Sequence, residues 1–197
     1  MSERRRQAMR LEISRAAVRL FAARGVAETS ADDIADAVGI STRTLWRYFS
    51  SKEECVRPLL AIGADEAATR LRAWPHSTPL AEVLDGDWAD QGPETRELMR
   101  QMIRLTRTEP GLRAVWLAVH NDAEAGFARA LAQRGGLPQD ALVPRVQAAV
   151  INAALRVAGE EWAWSDDVSE QASAALAQTV RQVLSTALSG DPATSPA

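Results

Sequence analysis

Apolar residues recur every three to four positions along most of this chain, and no strand-length stretch alternates strictly between apolar and polar. The pattern predicts helices throughout, punctuated by Gly, Pro and Ser. The first, over residues 4–24, puts Ile13, Ala16, Ala17, Leu20 and Phe21 on one stripe, and Gly25 closes it. Two short helices follow, over 31–38 and 42–49. A fourth covers 52–74 and stops before Pro75, and a fifth covers 80–88. The sixth opens at Pro93 and runs to 109, before Pro110-Gly111. The seventh, 112–134, ends at Gly135-Gly136. The eighth covers 141–164. The ninth begins after Ser165-Asp166 and ends at Leu188, before Gly190 and Pro192. The expected fold is all-α, with about nine helices and short connections.

Helices eight and nine carry apolar stripes along their whole length. One consists of Val143, Val146, Ala149, Val150, Ala153, Ala154 and Val157. The other consists of Val168, Ala172, Leu176, Val180, Val183, Leu184, Ala187 and Leu188. A monomer would have to bury both internally, whereas two chains pairing them would form a four-helix bundle.

The densest chemistry lies in Thr29–Lys52. Ser30 is placed to cap a helix, with Ala31 opening it and Asp33 in its first turn. Ile34, Ala35 and Val38 give that helix an inward face. Gly39 stands where the chain must turn sharply, Ile40 plugs the turn, and Ser41 caps the next helix. Leu45 and Phe49 anchor this second helix. The arrangement predicts a helix-turn-helix. The outward face of its second helix gathers Thr42, Arg43, Thr44, Trp46, Arg47 and Tyr48. Arg43 can reach base edges or phosphate, and the threonines are short donors near a helix N-terminus. Trp46 and Tyr48 can pack along the sugar-phosphate backbone, and Lys52 is set for a phosphate at the groove edge. Such a helix fits the major groove, about 12 Å wide.

Charge agrees with this. The chain carries a net −3, but unevenly. Residues 1–57 hold eleven Arg/Lys against eight Asp/Glu, a net +3, and the remainder holds twelve against eighteen, a net −6. Lys52 is the only lysine.

This stretch resembles the DNA-binding domain of the TetR family of transcriptional regulators. The matching residues are Phe21, Gly25, Thr29-Ser30, Ile34-Ala35, Gly39-Ile40-Ser41, Thr44-Leu45, Tyr48-Phe49 and Ser51-Lys52-Glu53, within 10–56. Trp46 departs from the family's usual Tyr and offers an indole N–H in place of a hydroxyl. The resemblance implies a ligand-responsive repressor that binds a palindromic double-stranded DNA operator as a homodimer, paired through its last two helices. A transcriptional activator of the same family is the alternative, and a helical interaction protein that binds no DNA is another. Residues 110–164, with Leu112-Arg113, Phe127, Ala130 and Ala132 followed by Arg156-Val157, resemble the C-terminal domain of the mycofactocin-regulator type. The expected division is a helix-turn-helix domain over 1–56, an effector-binding and dimerisation domain over 57–189, and a disordered tail over 190–197.

Trp88, Met99, Met102, Ile103, Trp116, His120, Phe127 and Trp162 are candidates to line an adaptable hydrophobic effector pocket, with His120 or Asn152 orienting a polar group. The same residues would serve equally as core. A small hydrophobic effector of unknown identity is expected.

Enzyme classes find little support. Gly135-Gly136 ends a helix and does not follow a strand, no Ser/His/Asp set is suggested, and Glu160-Glu161 reads as a solvated pair. With one cysteine, Cys55, and two histidines, neither an intramolecular disulfide nor a metal site is expected, and no cofactor. No run of about eighteen apolar residues predicts a membrane span. The N-terminus is too charged for a signal peptide, so a cytoplasmic protein is expected.

Overall fold

Serine caps begin three of the helices, and prolines mark the starts of others. The computed structural model describes residues 3–75, 78, 80–83, 92–167 and 169–188. Its elements are α1 (Glu3–Arg24), α2 (Ala31–Ala37), α3 (Thr42–Leu45), a 3-10 turn (Glu53–Val56), α4 (Arg57–Arg72), α5 (Leu80–Val83), α6 (Gly92–Leu105), α7 (Pro110–Arg134), α8 (Leu142–Trp164) and α9 (Glu170–Ala187). The chain is all-α across the described residues, as the periodicity requires.

Five boundaries that differ from those the pattern predicts have a local reason. Residues 52–74 do not form one helix, because Pro58 lacks an N–H for the carbonyl of Glu54 and its ring crowds that carbonyl. A 3-10 turn therefore precedes α4, and Pro58 sits in the first turn of α4, where no proton is needed. The helix over 42–49 is regular only to Leu45 and continues in tighter turns, Arg47 N–H to Thr44 and Tyr48 N–H to Leu45. α6 stops at Leu105, where the Thr106 hydroxyl donates to the Ile103 carbonyl at 2.6 Å. Pro110 then begins α7 instead of separating two helices. α9 starts at Glu170, after Ser169 accepts the Ala172 N–H. Trp88, Val168 and the expected tail 190–197 lie outside the described residues.

By packing, the chain divides into two compact units, Met1–Ile62 with Gln91–Val119, and Gly63–Asp90 with His120–Ala197. In the first, α1 packs against α2, the 3-10 turn and α6. Ile13, Ala17, Val18, Phe21, Ile34, Leu45, Phe49, Leu59, Met102 and Ile103 are buried there. Burial of each large side chain is worth about 1.5–3 kcal/mol. Leu20, expected on the inner stripe of α1, is only half-buried, and Ser14 takes an inward position instead.

The second unit has its own core of Leu71, Trp74, Leu80, Phe127, Leu131, Ile151, Leu184 and Leu188. Arg134 closes one side, its guanidinium 3.8 Å from the centre of the Trp74 ring. α8 and α9 pack together, but they do not use up their apolar stripes. Val150, Ala154 and Val180 lean on the core. Val143, Val146, Ala149, Ala153, Val157 and Val183 remain exposed. No helix among the described residues is long and apolar enough to cross a membrane.

Candidate nucleic-acid interface

The turn between α2 and α3 is fixed by backbone geometry. α2 ends in paired bonds, Ile40 N–H to the Ala35 carbonyl at 3.0 Å and Gly39 N–H to Asp36 at 3.1 Å. This closure needs a left-handed residue, and Gly39 supplies it at φ +67°. Each short helix is capped by a serine. The Ser30 hydroxyl accepts the Asp33 N–H at 3.1 Å, and the Asp33 carboxylate accepts the Ser30 N–H at 2.8 Å. The Ser30 hydroxyl and N–H, helped by Arg24, hold the Asp33 carboxyl below its usual range. The Ser41 hydroxyl accepts the Thr44 N–H at 3.2 Å.

Several bonds then hold α3 and the turns after it. The Thr42 hydroxyl donates to the Asp32 carboxylate on α2. Arg10 of α1 lies over the Phe49 ring, 4.9 Å from its centre, and donates to the Tyr48 carbonyl at 3.3 Å. Lys52 donates to the carbonyls of Val26 and Thr29, which pins the loop before α2. Ser14 joins α1 to the start of α4. Its hydroxyl donates to the Val56 carbonyl at 3.2 Å and accepts the Leu59 N–H at 3.1 Å, where the 3-10 turn interrupts the helical ladder.

On this frame Ser30, Ser41, Arg43, Trp46 and Arg47 are exposed, and Ala31, Thr42, Thr44, Tyr48 and Lys52 are half-buried. Trp46 is 45% exposed, a large apolar ring left in solvent. Tyr48 packs beside Phe49 with ring centres 6.5 Å apart. The sequence candidates from Ser41 to Tyr48 therefore share one short segment, while Ser30 and Ala31 stand at the head of α2 and Lys52 follows the segment. Arg10 and Asp32 are not among those candidates. Their contacts join residues 38 and ten positions apart, which no local pattern signals.

Comparison with known proteins agrees with this geometry. Residues 13–59 match the profile described as bacterial regulatory proteins, tetR family, and residues 79–188 match that of the MftR C-terminal domain. The chain is 32% identical over 175 residues to the HTH-type transcriptional regulator TcmR of Streptomyces glaucescens, across 82% of this chain and 76% of that one. The chain belongs to the TetR family of transcriptional regulators. It is 29% identical over 178 residues to a protein of Mycobacterium tuberculosis named as a mycofactocin biosynthesis transcriptional regulator, MftR, across 84% of this chain and 85% of that one. The fold is also similar to that of Thermus thermophilus FadR, a TetR-family repressor solved with lauroyl-CoA, at TM-score 0.55 and 24% identity over 95% of this chain and 99% of that one.

The TetR-family assignment makes Thr29–Lys52 a DNA-binding helix-turn-helix. The remaining candidates divide between the two units. Met99, Met102, Ile103 and Trp116 are buried in the first. In the second, Phe127 is fully buried, Trp162 is half-buried, and His120 and Asn152 are brought together. The Asn152 side-chain oxygen lies 2.8 Å from His120 Nδ1, and its amide donates to the Glu124 carboxylate at 2.7 Å. Burial pushes the His120 imidazole below its usual pKa, against the opposing pull of Asn152. Glu160 corrects the reading of a solvated Glu160-Glu161 pair. It is buried and bound by Arg156 at 2.9 Å, and only Glu161 is exposed.

Proposed function

We propose that this TetR-family regulator is a ligand-responsive repressor that binds a palindromic operator as a homodimer in the cytoplasm. The observation that carries the reading is the capped helix-turn-helix, which leaves Arg43, Trp46 and Arg47 exposed on one short segment. Two such segments, one per protomer, enter successive major grooves about 34 Å apart or slightly more. Arg43 and Arg47 meet base edges and phosphates, and Thr42, Thr44 and Tyr48 meet the backbone. Trp46 packs on sugar or a thymine methyl. Ser30, Ala31, Ser41 and Lys52 approach phosphates. No step of this function is catalytic.

Pairing uses the last two helices. Val146, Val157 and Val183 are each more than half exposed, at 53%, 54% and 52%, and they lie on helices that carry an apolar stripe along their whole length. Pairing of two copies removes these faces from water. In functional terms the DNA-binding part ends near residue 56, and the effector-binding and dimerisation part extends over 57–189.

The effector is a small molecule with a hydrophobic body and one polar group, taken by His120 and Asn152. T. thermophilus FadR, solved with lauroyl-CoA, supports a ligand of this general kind. Binding shifts α4, whose residues pass from one packing unit to the other, and so changes the spacing of the two recognition segments. A coupling of about 1–3 kcal/mol changes operator occupancy 5–150-fold.

The test is fluorescence anisotropy with labelled duplex from the protein's own promoter region, beside an Arg43→Ala, Arg47→Ala variant. Salt-dependent binding that the variant loses is the expected result. If neither that duplex nor a selection from random duplexes yields a bound sequence, the operator-binding reading is wrong.

A further inference from the structure

His120 and Asn152 meet inside the second packing unit, and Glu124 decides which way round they bond. The Asn152 side chain contacts the Glu124 carboxylate at 2.7 Å. A carboxylate only accepts, so the atom facing it is the amide Nδ2, and the atom turned to His120 is Oδ1. Oδ1 also only accepts. His120 Nδ1, 2.8 Å away, therefore carries the ring proton and donates it. Burial lowers the imidazole pKa and keeps the ring neutral near pH 7. A neutral imidazole has one N–H, so Nε2 holds a lone pair and is an acceptor.

The surrounding charge has a sign as well. His120 and Glu124 stand one turn apart on α7, and Asn152, Arg156 and Glu160 follow at one-turn intervals on α8. The Arg156 guanidinium is bonded to Glu160 at 2.9 Å, so these two charges offset each other. Glu124 then leaves the cluster formally negative, which disfavours a second anion beside it. The apolar core starts within one turn, at Phe127 after Glu124 and at Ala148 before Asn152, both buried. His120, Asn152 and Glu160 are buried too, at a desolvation cost that leucines joining the same helices would not carry.

We propose that His120 presents Nε2 to the effector as a hydrogen-bond acceptor, so that the class of molecule taken is hydrophobic and bears a hydroxyl or N–H donor, and is not a carboxylate. The proposal rests on the reading of His120 and Asn152 as effector-binding residues. Glu124 is then a positioning residue. It touches no effector, but it orients the Asn152 amide and through it fixes the tautomer of His120.

Two measurements test this on the full chain. The chain has two histidines, so His76→Gln leaves His120 as its one imidazole. Long-range proton–nitrogen correlation spectra of that variant at pH 7.5 are expected to show a protonated Nδ1 and a bare Nε2. A proton on Nε2 overturns the proposal. Equilibrium dialysis then compares 2-naphthol, 2-methoxynaphthalene and 2-naphthoate, which share one apolar body. The naphthol is expected to bind at least about tenfold more tightly than the other two, which cannot donate a hydrogen bond. His120→Phe should abolish that preference while still binding the methyl ether. Equal affinity of the wild type for the naphthol and its ether overturns the proposal and leaves the effector reading intact. Binding of none of the three, up to the solubility of each, overturns both.

Discussion

Lys52 donates its ammonium to the backbone carbonyl of Thr29 at 2.9 Å, and a second proton goes to Val26 at 2.6 Å. An ammonium has three donors, so one remains for a phosphate. The residue thus combines two roles, closing the loop between α1 and α2 and offering charge to DNA. Lys52→Met is expected to destabilise the chain by about 2 kcal/mol, from the loss of charge-assisted hydrogen bonds. It should also flatten the salt dependence of DNA binding by about 0.9. Urea unfolding and a salt series read the two effects separately. A full slope with reduced stability would leave Lys52 a purely structural role.

Gly39 carries the turn by backbone conformation alone. A Cβ placed there meets nothing within 4 Å, so substitution costs only the left-handed geometry. Gly39→Ala is expected to lower stability by about 1–2 kcal/mol, and Gly39→Asn by less. Because the recognition segment follows this turn, operator affinity should fall in the same order. Equal stability of the wild type and both variants in urea would contradict the left-handed assignment.

Much of this was legible in the sequence because the features are local. Ser30, Gly39 and Ser41 announce caps and a turn within a few residues of where they act, and periodicity marked the helices. Pro58 was also visible, but an apolar pattern running through it hid the break it causes. Ser14 shows the opposite limit. A serine among alanines gives no sign that it will bridge Val56 and Leu59, more than forty residues away. The effector candidates were the least legible. Met102, Trp116 and Phe127 look alike as core and as pocket lining, and the sequence does not assign Asn152 to His120 and Glu124 together.

Cys55 should be chemically silent in the folded protein. Burial and the nearby carboxylates of Glu53 and Glu54 push its thiol up to about 12. At pH 8 a disulfide reagent is expected to label it only as fast as the chain opens, and at once in denaturing urea. Immediate stoichiometric labelling under native conditions would show that the 3-10 turn is open.

His120 predicts a stability loss in mild acid. Its folded pKa lies below the unfolded value of about 6.5, so the unfolded chain takes up a proton that the folded chain refuses. The contribution is intact above pH 6.5 and declines as the pH falls towards the folded pKa, by at most about 1.4 kcal/mol per unit. Arg156 adds to the depression, while Asn152, Glu124 and Glu160 oppose it. Urea midpoints at pH 7.5 and 5.5 measure the loss, and His120→Gln should remove one proton's worth of it. The same pH dependence in that variant would assign the effect to other groups.

The exposed valines of α8 and α9 give a prediction about assembly. Val146 and Val157 stand eleven residues apart, three helical turns, on the side of α8 away from Ile151 and Ala148. If two chains bury this face, a charge placed on it must be desolvated without a partner. Val146→Glu with Val157→Glu is therefore expected to convert a dimer to a monomer in sedimentation equilibrium. The folded chain should survive, because both side chains already lie in water within one protomer. Operator affinity should drop sharply, since half-sites would then be bound one at a time. Binding to a single half-site should change little. A double variant that remains dimeric would mean that the pairing surface lies elsewhere, and the exposed stripe of α8 would need another partner.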